Sequence, residues 1–217
     1  MTKFIDFEQV KDIFNGKTVA IVGSGPSVLD NPVGRIDSFD IVCRINNFKI
    51  FPETGSRTDV FYSFFGGSIF TTHKELKDTW LCMAKYPVGG IGHLVEWGNY
   101  QPNPRGINYE WVYENRRDWW FCDTYIPTME RFVEYFNLLD RHVPTTGFSC
   151  ILDINECDCE IYLTGFDFFK SGKHNVNEKW IHRNPEDPIG HRPELERQWI
   201  SDHKDRFILD ERLSFLV

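Results

Sequence analysis

Lys17–Gly23 reads KTVAIVG, a short β-branched apolar run that stops at a glycine. A run this short and this continuously apolar fits a strand buried on both faces of a sheet. Working outward, Phe39–Ile45 (FDIVCRI) and Thr58–Ser63 (TDVFYS) repeat the pattern, and Glu160–Thr164 (EIYLT) ends at Gly165. Gly90–Val95 and Asp205–Leu209 read as further short strands. Between them, Pro127–Arg141 (PTMERFVEYFNLLDR) opens on proline and carries apolar residues at helical spacing. Ile69–Ala84, Phe148–Glu156 and Glu194–His203 also read as helices. Strands alternating with helices predict an α/β fold: a single Rossmann-like domain over residues 1–217, with a mostly parallel sheet and helices on both faces. The segment 97–126, rich in Trp, Tyr, Asn and Pro and without a period, reads as an insertion or lid. Ligands of such sheets bind outside the carboxyl ends of the strands, so chemistry is expected in the loops after Val22, Ile45, Tyr62 and Thr164.

Composition narrows the classes. The 217 residues are 41% hydrophobic and 26% charged, which suits one soluble core without disulfide staples. A formal net charge of -8 disfavours bulk nucleic-acid binding, leaving nucleic acid only as a possible acceptor. No apolar run approaches the ~20 residues of a membrane span, and the first residues, MTKFIDFEQVKD, are interrupted by charges. The expected location is the cytoplasm. The six cysteines include no C-x-x-C pair, and several lie in apolar runs, so they read as reduced, mostly buried thiols. Cys157 and Cys159 give only two ligands of the four a structural zinc needs.

Four polar constellations follow the predicted strands. Gly23-Ser24-Gly25-Pro26-Ser27 lies directly after the first. Its glycines permit close backbone approach, either to a ligand or within a tight turn, and the following N–H groups suit an anion. It lacks the third glycine of the dinucleotide fingerprint and the Gly-Lys-Ser/Thr of a Walker loop. Arg44, Asn46 and Asn47 close the second strand; they contact a ligand, or Arg44 pairs with Asp40 or Asp59. Pro144-Thr145-Thr146-Gly147 precedes an apolar helix, where hydroxyls and free N–H groups cap the helix or hold a phosphate or carboxylate.

The fourth constellation, Ile189-Gly190-His191 with Glu194 and Glu196, makes His191 a candidate general base, its ordinary pKa being ~6.5. His174, His182 and His203 are rivals. Metal ligation by His182, His191, His203, Asp167 and Asp187 lacks any H-E-x-x-H spacing, and D-x-D is absent, Asp158 and Glu160 coming nearest. No metal or other cofactor is expected.

In order, these stretches resemble the sialyltransferases. VAIVGSGPSVL followed by IDSFDIVCRINNF resembles that family's long donor-binding motif, and GSRTDV (Gly55–Val60) the glycine and threonine positions after it. PTTG with EIYLTGFDF is similar to the shorter motif of the animal-type and bacterial families. Ile189–His191 matches the bacterial I-G-H, and His191 with Glu196 has the animal-type H-x4-E spacing.

The resemblance implies a GT-A-like single domain that takes a CMP-sugar as donor substrate and transfers sialic acid or a related acidic sugar to a hydroxyl of a glycan or other acceptor, with inversion and without metal. It implies His191 as base. It places Gly23, Ser24, Gly25, Ser27, Arg44 and Asn46 on the donor, with Thr145, Thr146 and Gly147 as a cradle for phosphate or sugar carboxylate, and Gly165, Asp167 and Phe168 beside the nucleotide. Ser24 stands where the family usually has asparagine, and Phe169 where bacterial members have tyrosine, departures that bear on the donor sugar. Tyr62, Tyr162, Lys173, His174 and Glu196 are candidates for phosphate or acceptor contacts, and Tyr162, Lys173 or His174 could stand in for the missing hydroxyl. Without the animal enzymes' anchor and stem, a bacterial, viral or phage setting is expected. Two alternatives remain: a phage-type transferase modifying a DNA base from another nucleotide sugar, and a non-catalytic nucleotide- or glycan-binding module using the aromatic 97–126 segment.

Overall fold

The structure, a computed structural model, describes residues 3–64, 71, 75–85, 122–170 and 191–217. Its frame is one sheet of eight strands: β1 (Phe4–Ile5), β2 (Thr18–Val22), β3 (Ile41–Ile45), β4 (Val60–Ser63), β5 (Leu81–Ala84), β6 (Asp123–Tyr125), β7 (Glu160–Thr164) and β8 (Phe207–Leu209). Their spatial order is β1-β6-β5-β4-β3-β2-β7-β8, and every pairing is parallel. Strand β2 is the pivot. Its register sets Ile21 between Cys43 and Leu163, and the chain leaves it toward β3 and returns on the other side as β7. In sheets of this kind such a reversal is where the ligand crevice lies, here at the carboxyl ends of β2 and β7.

Alternation along the strands divides the core. Val19, Ile21, Cys43, Ile45, Val60, Tyr62, Leu81, Met83, Ile161 and Leu163 face one side. There they meet buried residues of α1 (Phe7–Phe14), α2 (Met129–Leu138), α3 (Thr146–Asn155), α4 (Pro193–Asp202) and α5 (Glu211–Leu216), among them Phe14, Tyr135, Phe148, Ile200 and Leu213. Ala20, Val22, Val42 and Tyr162 face the other side, where Val28, Ile36 and Phe39 cover them. Helical segments thus lie on both faces, unequally: among the described residues the α-helices take one, and the 3₁₀ turns Pro26–Asp30 and Ile36–Ser38 serve the other.

The helix starts follow local chemistry. The Asp6 carboxylate accepts the Gln9 N–H at 2.9 Å and the Gln9 side chain accepts the Asp6 N–H at 3.1 Å, a reciprocal cap worth about 1 kcal/mol. Thr128 and Asp210 cap α2 and α5 through their side chains. Helix α3 is apolar nearly all round, because it is buried over most of its length, yet it carries Asp153 in its last turn.

Two sequence readings are corrected here. Ile69–Ala84 is not one helix: Leu81–Ala84 is β5, its four residues alternating between the two core faces in register with β4. Its apolar run is too short for periodicity to separate strand from helix. The segment 97–126 ends in β6, which pairs with β1 and β5, so its last residues belong to the sheet itself. Gly90–Val95 and residues 97–121 lie outside the described residues.

Candidate active site

The crevice is built first from backbone. The Gly23 N–H bonds Thr164 O at 2.8 Å, and the Gly25 N–H bonds Gly165 O at 2.7 Å, so the loops after β2 and β7 are stitched together. A Cβ on Gly25 would stand 2.7 Å from Gly165 O, and one on Gly165, whose φ is +77°, 2.6 Å from Gly23 O. A Cβ on Gly23 would meet Gly165 O closer still. Of the two explanations the sequence left open, the tight turn accounts for these glycines: each makes room for the other loop. Asp167 lies beside Gly25 and accepts the Phe169 N–H at 3.1 Å. Phe168 and Phe169 both adopt left-handed backbone, φ +52° and +59°.

At the end of β3, Asn46 is also left-handed, φ +51°, and its side-chain oxygen accepts the Phe64 N–H at 3.3 Å. Arg44 points to the face opposite the described α-helices and is fully buried. It donates to the carbonyl oxygens of Thr54 (2.6 Å), Gly55 (3.1 Å) and Arg57 (3.0 Å) and to the Thr58 hydroxyl (3.1 Å). The expected donor contact from Arg44 gives way to a structural one: it ties loop 54–58 to the sheet. Nor does it pair with Asp59, which takes Arg57 instead at 2.8 Å. Burial lowers the Arg44 pKa to about 10, well within the charged range at neutral pH. Its Nη1 and the buried Ser27 hydroxyl have no hydrogen-bond partner among the described residues.

Across the crevice stands the N-terminus of α3. Gly147 is required there, since a Cβ would meet the Phe166 ring at 2.8 Å. The Thr145 hydroxyl is engaged twice, accepting the Phe148 N–H (3.1 Å) and donating to Glu196 (2.9 Å). Its N–H bonds the other Glu196 oxygen at 2.6 Å. Thr145 therefore holds the helix end, and the N–H groups of Thr146 and Gly147 are the donors at that end with which an anion could bond. His191 donates Nδ1–H to Val143 O at 2.8 Å, because a carbonyl can only accept. In the neutral ring Nε2 then carries the lone pair, as a general base requires.

Sequence reasoning missed Lys85. It follows β5, is 8% exposed, and donates from Nζ to Pro144 O at 2.5 Å. The available signal was a cation closing an apolar tetrapeptide, LCMAK, once that stretch is read as a strand. Burial pushes its pKa down to about 8, against the pull of Glu196. Burial likewise pushes the Glu196 carboxyl up to about 7, and Glu194 adds to the rise, against the Thr145 bonds and Lys85. Between the ordinary carboxyl range and about pH 7, the folded state therefore holds a proton the unfolded chain has released, so this group's contribution to stability falls as pH rises. Glu196→Gln removes that slope. Urea titrations from about pH 4.5 to 7 should show the wild type losing about 3 kcal/mol relative to the variant.

Two further candidates are corrected. The fully buried Tyr62 points to the α-helix face and donates its hydroxyl to Asp153 at 2.6 Å. Tyr135 (2.7 Å) and Arg131 (2.6 Å) bond the other Asp153 oxygen, so Tyr62 belongs to a core network. Tyr62→Phe should cost about 1–2 kcal/mol in urea unfolding and leave ligand affinity unchanged. Tyr162 lies on the opposite face, stacked on Phe39 with its hydroxyl on Asn31. Among the rival histidines, His203 bonds Trp199 O at 2.7 Å and stacks on that indole. Lys173, His174, His182, Ile189 and Gly190 lie outside the described residues. The six cysteines are free thiols, and no group of three or more metal-binding side chains occurs among the described residues. No described helix is long and apolar enough to cross a membrane.

No family model matches the sequence, and no curated protein matches it. Solved structures do. A mammalian sialyltransferase in complex with Gal-beta-1-3GalNAc-ortho-nitrophenol superposes with a TM-score of 0.57 at 16% identity, over 92% of this chain and 71% of that one. The sialyltransferase CstII from Campylobacter jejuni with CMP-3FNeuAc gives 0.55 at 18% identity, over 89% and 81%. CST-II with a trisaccharide acceptor and CMP gives 0.54 at 19% identity, over 89% and 80%. The chain thus has the fold of these sialyltransferases: an α/β domain on one parallel sheet, as its sequence motifs imply.

Proposed function

We propose that this protein is a glycosyltransferase that moves a sugar, sialic acid or a related acidic sugar, from a CMP-sugar to a hydroxyl acceptor. The observation that carries the reading is that the glycine turn after β2, the Pro144–Gly147 helix start and His191 come together at the carboxyl ends of the strands. The stitched glycine loops, the N-terminus of α3 and the His191 imidazole meet there through the contacts at Val143–Thr145 and Phe166. The fold neighbours, solved with CMP, a CMP-sugar analogue and acceptor saccharides, support the donor and acceptor classes.

In this reading the donor phosphate lies against the glycine loops and the Thr146 and Gly147 N–H groups. His191 Nε2 takes the acceptor hydroxyl proton as that oxygen attacks the anomeric carbon. The bond from that carbon to the phosphate oxygen breaks with its electron pair, and CMP leaves. Attack opposite the leaving group inverts the anomeric centre, and the transfer proceeds without metal.

Calorimetry against CMP, CDP, UMP, UDP, GDP and ADP, with and without EDTA, tests the donor. Selective CMP binding unchanged by EDTA is the expected result, with a matching rise in Tm. A preference for UDP or GDP would overturn the CMP-sugar assignment and make a DNA base the next acceptor to assay.

A further inference from the structure

We propose that Lys85 is a positioning residue for this reaction, fixing the backbone step that aims the His191 imidazole; the inference rests on the reading of His191 as the base. Three consecutive residues are held by three side chains from separate parts of the chain. His191 takes Val143 O, Lys85 takes Pro144 O, and Glu196 takes the Thr145 N–H. The Pro144 carbonyl and the Thr145 N–H are the two polar ends of a single planar peptide unit. A cation grips one end and a Glu196 carboxyl oxygen the other, matching the peptide dipole.

The neighbouring unit carries Val143 O, and only the two torsions of Pro144 separate the two planes. The pyrrolidine ring locks φ near -65°. The Lys85–Glu196 grip sets ψ. Val143 O therefore has a fixed direction, and the imidazole that bonds it has one too. Lys85 is itself anchored, because its N–H continues the ladder to Ser63 O at 2.9 Å.

Burial argues for this role. An ammonium carries three donors, and Pro144 O is the hydrogen-bond partner of the Lys85 Nζ among the described residues. A buried cation so thinly compensated is a poor stabiliser compared with an apolar side chain of similar length. Lys85→Met should leave Tm unchanged or raise it while impairing turnover, an outcome that mere packing does not produce.

The test compares wild type, Lys85→Met, Lys85→Arg and Lys85→Gln by steady-state transfer from CMP-sialic acid, CMP calorimetry and ring-15N spectra of His191. The proposal expects Lys85→Met to lower kcat about 100-fold with KM and CMP affinity within about threefold. It also expects a changed acid limb of the pH–kcat profile, a smaller Nδ1–H share in the His191 ring spectrum, and partial recovery in Lys85→Arg. Unchanged kcat and an unchanged ring spectrum would overturn it. So would an equal loss of CMP affinity and kcat/KM, which would make Lys85 a direct donor contact. If the wild type neither binds CMP nor transfers sugar, the donor reading fails, and the ring spectrum alone decides for or against Lys85. Should Lys85→Met not fold, Lys85→Gln is read by the same criteria.

Discussion

If His191 is the base of the proposed transfer, replacing it by alanine should lower kcat by about 10³-fold and leave CMP affinity within about threefold. The split between the two effects follows from the geometry. The imidazole is bonded to Val143 O through Nδ1, and the glycine loops and the Thr146 and Gly147 N–H groups proposed to hold the donor are made of backbone the substitution does not touch. His191 is half-buried at the crevice, so its removal leaves the core intact. Added imidazole should restore part of the rate by supplying a diffusible base. Rates within about threefold of wild type would mean that another group takes the acceptor proton.

Gly165→Ala combines a strained backbone with a close backbone contact. At φ +77° an L-residue is strained, and the new Cβ would lie 2.6 Å from Gly23 O and 2.9 Å from its carbonyl carbon. Neither loop can yield without breaking the Gly23–Thr164 or Gly25–Gly165 hydrogen bonds. Strain and overpacking together predict a loss of about 4 kcal/mol and a Tm lowered by about 10 °C. Gly16→Ala is the matched control. Its φ is +73°, but nothing lies within 4 Å of the added carbon, so about 1 kcal/mol is expected. Equal losses in the two variants, measured by urea unfolding, would mean that the interlock between the loops is slack.

Much of this frame was legible because its causes are local. The KTVAIVG run became β2, EIYLT became β7, and the apolar helix after Pro144 begins where its threonine cap stands. Continuous apolar runs ended by glycine need only neighbouring residues to be read. The short strands were harder. Strand β1 has two residues and β6 three, and they exist because the chain start pairs with a segment more than a hundred residues away, Thr124 N–H bonding Lys3 O at 2.8 Å. No local pattern encodes such a pairing.

The candidate site divides in the same way. Residue types and their order placed glycines, a capped helix and His191 around a crevice, and those features depend on local turns and on strand ends. Which polar atoms remain available for chemistry was decided by tertiary contact. Alternation turned Tyr62 inward to Asp153, 91 positions along the chain, and turned Arg44 to the opposite face and loop 54–58. The same packing brought Lys85 to Pro144, 59 positions away, and Glu196 to Thr145, 51 positions away. A sequence by itself determines which groups a protein possesses and the period on which they fall. Burial then demands a partner for each polar group, and only the folded chain decides which partner lies within a hydrogen bond's reach.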